Sequence, residues 1–166
     1  MADRGGPLHN LEEKKQFLFS YRKQIARGRK FIRSGNKRQA IVRSVVKGKI
    51  KPFDPRVYER LMKGEITETD IKCDFWYDEN GTITPHLPGL STFTNIRDMP
   101  PFLRERPEEL WQLDRNSPFP EEVDIVVFED QWWKGYIKPK GDLGTSVTRD
   151  NLIEMLSCLP WKKYSE

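Results

Sequence analysis

Apolar positions are spaced differently in the two halves of the chain. In the first half they recur at helical intervals among Lys and Arg. Leu11, Leu18, Tyr21 and Ile25 fall near one face of a helix predicted over Leu11–Gly28, with Asn10 as its cap and Glu13 as the reciprocal partner. A short strand is expected over Lys30–Arg33, ahead of the Ser34-Gly35-Asn36 turn. Lys37–Gly48 is expected to be a helix with Ala40, Ile41, Val45 and Val46 inward. Asp54-Pro55 is a helix start with Pro at the first helical position, so Val57–Lys63 continues it to Gly64. Thr67-Glu68-Thr69-Asp70 reads as a loop or a further cap.

From Lys72 the spacing shortens. Cys73, Phe75 and Tyr77 alternate with Lys72, Asp74 and Trp76, a strand pattern. Asp78-Glu79-Asn80-Gly81 is a turn, because Asn-Gly takes positive φ at little cost. Thr82–Thr84 begins another strand, and Leu90–Thr94 is β-prone. Asn95–Glu108, broken by Pro100, Pro101 and Pro107, is a loop, and Leu110–Leu113 is a short apolar run. Val123–Phe128 is the strongest strand and is expected to be buried. Gln131–Gly135 reads as a hairpin tip carrying Trp132 and Trp133, followed by a strand at Tyr136-Ile137-Lys138. Arg149–Leu159 is an amphipathic helix capped by Thr148, with Leu152, Ile153, Met155, Leu156 and Leu159 inward. The class is α+β. Residues 1–10 form a leader, and residues 11–166 one domain: a basic helical part over 11–64, then a sheet core with a C-terminal helix over 72–166.

Charge adds a second division. The net charge is +4, yet Lys14 to Lys51 holds fourteen Lys and Arg and no Asp or Glu. Such a segment fits an acidic partner: nucleic acid, a phosphorylated small molecule or an acidic inhibitor protein. Nine Phe, five Trp and five Tyr supply a core, which a disordered chain lacks. Cys73 and Cys158 have no metal-ligand spacing and read as two buried free thiols. His9 and His86 lie apart, so no metal is expected. With no apolar run of about 18 residues and no signal-peptide core, the chain is expected to be soluble and cytoplasmic. Any export would not use a cleaved N-terminal signal.

One stretch resembles a known family. Asp78 through Phe93 (DENGTITPHLPGLSTF) has an acidic-Gly turn, a short strand, a Pro and then Gly-x-Ser-x-Phe. Trp111-Gln112-Leu113, the strand after Pro120 closed by Asp130, and Tyr136-Ile137-Lys138-Pro139 ahead of an amphipathic helix follow in order. Together these resemble the ADP-ribosyltransferase-like effector toxins delivered by bacterial type VI secretion. The resemblance covers Asp78–Leu156. It implies a compact split β-sheet core with flanking helices, NAD as cofactor, action in the cytoplasm of a target cell, and inhibition by a cognate immunity protein or antitoxin.

A site of that class needs hydroxyls beside the nicotinamide ribose, an aromatic wall and a cation for phosphate or ribose. The resemblance assigns the hydroxyls to Ser91 and Thr92 as catalytic residues. Phe93 and Tyr136 are candidate walls, Leu90 lies beside the signature serine, and Arg33 or Arg22 is the candidate phosphate partner. This chain has Leu90 where the family often has Thr, and Gly135 where it often has His. The candidate carboxylates are Glu129, Asp130 and Glu154, the last read as a solvated helix residue. Two other readings stand beside this one. The first is a basic RNase or nucleic-acid-binding toxin using Lys14–Lys51 without NAD. The second is a non-enzymatic interaction protein that uses the basic helix and the Trp132-Trp133 tip.

Overall fold

A computed structural model describes residues 29–128, 131–140 and 147–165. The leader, the predicted helix over Leu11–Gly28 and Arg22 lie outside the described residues. The first strand, β1, covers Ile32–Ser34. Helix α1 covers Arg43–Gly48 only, because Asn36 turns the chain first: its Oδ1 accepts from the amides of Arg38 and Gln39 at 2.8 Å. The expectation of four inward residues over Lys37–Gly48 is corrected at Val45, which is 52% exposed, whereas Ala40, Ile41 and Val46 are buried.

Strand β2 is Ile50–Pro52. Helix α2 runs Pro55–Met62, as the sequence predicts, with the Asp54 side chain accepting from the amides of Arg56 and Val57. Thr67 and Asp70 form a reciprocal capping box on the short α3, Glu68–Ile71. Strand β3 is Phe75–Tyr77 and pairs in parallel with β2. The predicted alternation fails here, because Phe75 and Trp76 are both buried. Phe75 enters the main core, while Trp76 enters a separate cluster with Leu61 and Leu87. A ribbon packed on both faces has no polar side to show.

The strand expected over Thr82–Thr84 is reduced to the isolated bridges Tyr77↔Ile83 and Thr82↔Thr148. Strand β4 is Leu90–Phe93. The predicted proline-broken loop holds 3₁₀ turns at Ile96–Asp98 and Pro107–Glu109 and a one-turn helix, α4, at Pro101–Arg104. Strands β5 (Leu110–Leu113), β6 (Val123–Val126) and β7 (Lys134–Pro139) follow, then helix α5, Arg149–Ser157, capped by Thr148. A last strand, β8 (Trp161–Lys163), has no forerunner in the sequence pattern.

Six strands form one antiparallel sheet in the order β6-β7-β4-β1-β5-β8. One face carries Phe31, Leu90, Leu113, Ile125 and Ile137 and is covered by Leu152, Ile153 and Leu156 of α5 and Val46 of α1. The opposite face carries Ile32 and Leu110, packed with Met99, and Val126, Phe128 and Tyr136, packed with Met62. The mixed helix-and-strand class read from the sequence is therefore present, with a mostly antiparallel sheet.

The centre of the sheet is where the strands part. β1 pairs with β4 only at Ile32↔Phe93, whereas it pairs with β5 at Ile32, Arg33 and Ser34. Beyond Ile32 the chain stays with β5, and the Gly35 amide donates to the Glu109 carbonyl at 2.8 Å. The C-terminal end of β1 thus leaves the N-terminal end of β4, and a cleft opens between them.

Candidate functional site

Two cavities meet at this parting. The first, about 410 Å³, lies between Arg33, Ser34 and Gly35 on one side and Leu90, Ser91 and Phe93 on the other. The second, about 420 Å³, is lined by Lys72, Cys73, Gly89, Lys134 and Tyr136 among others. Lys49, Asp74 and Ser91 line both. Each volume is of small-molecule size, and the shared residues place the two side by side.

β4 places its residues by strand alternation. Ser91 stands opposite Tyr136 in register and faces the cavities. Thr92 points to the other face: it is 0% exposed, and its hydroxyl donates to the Gly135 carbonyl at 2.7 Å. The assignment of Thr92 as a catalytic hydroxyl is corrected on this ground: it is fully buried, lines neither cavity and spends its hydroxyl on Gly135. Leu90 is buried in the main core and contributes only to the cleft floor. Phe93 is a true wall residue of the first cavity, with the Lys134 ammonium 5.6 Å from its ring centroid. Tyr136 is buried and lines the second cavity, and its hydroxyl donates to Gln131 Oε1 at 2.7 Å.

Arg33 reaches the first cavity from β1. Its Nε donates to the Ala40 carbonyl at 3.0 Å. Burial lowers its pKa to about 10, and the negative charge of Asp74 acts in the opposite direction. It remains a cation at neutral pH.

Gly89 and Gly135 set the spacing of the sheet here. A Cβ on Gly89, whose φ is +119°, would lie 2.3 Å from the Ile137 carbonyl oxygen. A Cβ on Gly135 would lie 2.5 Å from the Phe31 ring. The histidine that the resembled family often carries at this position is excluded by Phe31, and it would face the core with Thr92.

Sequence reasoning missed Lys49, Asp74 and Lys134. Alternation read Asp74 as an ordinary outward residue of a strand. In the structure the Asp74 amide donates to the Lys49 carbonyl at 2.8 Å, which holds the carboxylate at the cleft just before β3. Lys72, two residues earlier, has φ 54°, the sole left-handed non-glycine backbone among the described residues. No propensity pattern signals such a turn at a lysine.

No family model, curated protein or solved structure matches the chain.

The remaining candidates sit elsewhere. Glu154 is exposed and pairs with Arg43, joining α5 to α1. Glu129 and Asp130 lie outside the described residues. His86 stacks on Phe53 at 4.3 Å in the second cluster and does not line the cleft. Trp132 is exposed at the β6–β7 hairpin, with the Arg29 guanidinium 5.6 Å from its ring. The expectation of two buried thiols is corrected: Cys73 is half-buried and Cys158 exposed. Among the described residues of the basic Lys14–Lys51 segment, the side chains of Lys30, Arg33 and Arg43 hydrogen-bond within the chain. Among the described residues no three His, Cys, Asp or Glu gather as for a metal, and no helix is long and apolar enough to cross a membrane.

Proposed function

We propose that the chain is an NAD-dependent ADP-ribosyltransferase-like bacterial toxin, acting in the cytoplasm of a target cell and restrained by an acidic immunity protein or antitoxin. The observation that carries this is the parting of β1 from β4 beside Ser91, with Arg33 on one lip and Ser91, Phe93 and Tyr136 on the other. Four basic side chains, Arg33, Lys49, Lys72 and Lys134, line the joined cavities and suit the two phosphates of a dinucleotide. Phe93 and Tyr136 offer ring faces, and Ser91 a hydroxyl to orient the ribose. NAD supplies the activated N-glycosidic bond. The chain's part is to bind it, orient it and keep water from the wrong face.

The test is a comparison of neighbouring residues. Ser91→Ala is expected to lower nicotinamide release from NAD by about 100-fold, the usual cost of one positioned hydrogen-bonding group. Thr92→Val is expected to leave turnover within about threefold but to cost about 1 kcal/mol of stability through its lost bond to Gly135. Equal catalytic losses in both variants would refute the placement of the site on the Ser91 face. RNA or DNA binding that weakens steeply with salt, with no binding of NAD, would instead favour the nucleic-acid reading.

A further inference from the structure

A further cavity, about 770 Å³, lies on the side of the parallel ribbon that faces α2. Its volume is that of a small-molecule site. The ribbon's register decides what borders it. Ile50 stands opposite Phe75, and both are buried in the main core. Lys51 stands opposite Trp76, and strand alternation turns this pair to the other face, where Trp76 joins the cluster beneath α2. Lys51 and Trp76 both line the cavity, with Phe53, Val57, Ile66 and Ile71 as apolar wall.

Packing does not account for the polar groups of this lining. Trp76 is 2% exposed, yet its indole N–H donates no hydrogen bond among the described residues. A buried tryptophan ordinarily finds an acceptor. Lys51, its neighbour across the ribbon, is exposed and holds no ion pair among the described residues. Arg60, also on the lining, has only a 3.8 Å contact with Glu65, and both side chains are more than half exposed. The two carboxylates of the lining are engaged in helix caps. Asp54 Oδ1 accepts from the amides of Arg56 and Val57, and Asp70 Oδ2 from the amide of Thr67. What is left over is one N–H donor and two cations beside an apolar wall with two aromatic rings. The complement is an anion on a flat apolar body. A carboxylate suits the pair, because one group can accept from the indole N–H and meet the ammonium beside it.

We propose that this cavity is a second ligand site, which takes a small aromatic carboxylate with its ring against Phe53 and Trp76 and its carboxylate held by the Lys51 ammonium and the Trp76 N–H. The site is independent of the NAD reading and stands whether or not NAD binds. Ile71 and Cys73 line this cavity and the Ser91 cavity alike, so the occupant also covers the Cys73 thiol.

The test uses the full chain with 1-naphthoate as the probe and 1-naphthamide as its uncharged counterpart. Calorimetry is expected to show one naphthoate site with a Kd between about 10 μM and 1 mM, and binding of the amide at least about tenfold weaker. K51M, which keeps the apolar stem and removes the charge, is expected to weaken naphthoate about tenfold. W76F, which keeps a ring and removes the N–H, is expected to weaken it about fivefold. Naphthoate is also expected to slow labelling of Cys73 by a disulfide reagent and to leave Cys158 unaffected. Should W76F fold poorly, K51M carries the test, because Lys51 is exposed. Absence of binding by the wild type up to about 10 mM naphthoate overturns the proposal. So does equal affinity for the amide, which would show an apolar slot indifferent to charge. A K51M protein that binds like wild type, or Cys73 labelling that naphthoate does not slow, places the probe elsewhere and overturns it too.

Discussion

Cys73 and Cys158 carry the same thiol in different surroundings. Cys73 borders both the Ser91 cavity and a neighbouring one of about 770 Å³ beneath α2. Burial, and then the Asp74 charge, push its pKa from 9.0 up to about 11. Cys158 is exposed at the end of α5. At pH 8 a thiol with a pKa near 11 is about one part in a thousand thiolate, and thiolate is the reactive form. A disulfide reagent is therefore expected to titrate Cys158 first and Cys73 at least about tenfold more slowly, with NAD slowing only Cys73 further. Equal rates for the two thiols would contradict the placement of Cys73. The sign of the linked stability follows from the raised value. The folded thiol keeps its proton where the unfolded one loses it, so the folded state is favoured below about pH 9, and that advantage fades as pH rises toward 11. Cys73→Ser should flatten this alkaline decline. The sequence did not reveal the difference between the thiols, because each lies in a mixed polar and apolar run whose burial is decided by distant segments.

Elements were legible where their signals are local. Asp54 and Thr148 cap α2 and α5 as their sequence positions require, and Gly81, at φ +78°, turns the chain after Asp78. The sequence did not disclose which strand goes where. Val123–Val126 is apolar enough for a central strand yet forms an edge of the sheet, because one face joins the main core with α5 and the other packs with Phe128, Tyr136 and Met62 of α2, without a second strand neighbour. β8 was missed because Trp161-Lys162-Lys163 is too short and polar to declare itself, and it pairs with β5 through long-range contacts. Site residues followed the same rule. The cleft-lining places of Ser91 and Arg33 were legible from motif and charge, whereas the inward turn of Thr92 and the approach of Asp74 depend on register and on the ribbon. Register also governs the β4–β7 pair, where Phe31 sits directly on Gly135. Gly135→Ala is expected to destabilise the protein by about 1–3 kcal/mol, the range for overpacking, because the methyl meets a fully buried ring. Denaturant unfolding measures it, and an unchanged midpoint would mean that Phe31 does not hold this position.

The whole molecule joins two units to make one cleft. The sheet brings Arg33, Ser91, Lys134 and Tyr136; the ribbon and its flanks bring Lys49, Lys72 and Asp74. The ribbon leans on the sheet through Phe75 in the main core, and it carries α2 through Leu61, Trp76 and Leu87 in the second cluster. The rings of Phe53, Tyr58 and Trp76 meet edge-on or tilted there, at 5.2 to 6.0 Å. Leu61 is fully buried in that cluster and lines neither cavity of the cleft. Leu61→Ala should therefore leave every proposed contact with NAD intact while opening a void behind the ribbon. The expected cost is about 2–5 kcal/mol. If the ribbon and sheet unfold together, one cooperative transition shifts downward as a whole. At a temperature where the variant is still folded, turnover should fall only as far as the ribbon-side residues Lys49, Lys72 and Asp74 lose their places, because the sheet keeps Ser91 and Arg33. An early separate transition, with turnover lost and the sheet still folded, would show that the ribbon unfolds on its own. An unchanged unfolding temperature would show that the second cluster does not hold the acid side of the cleft.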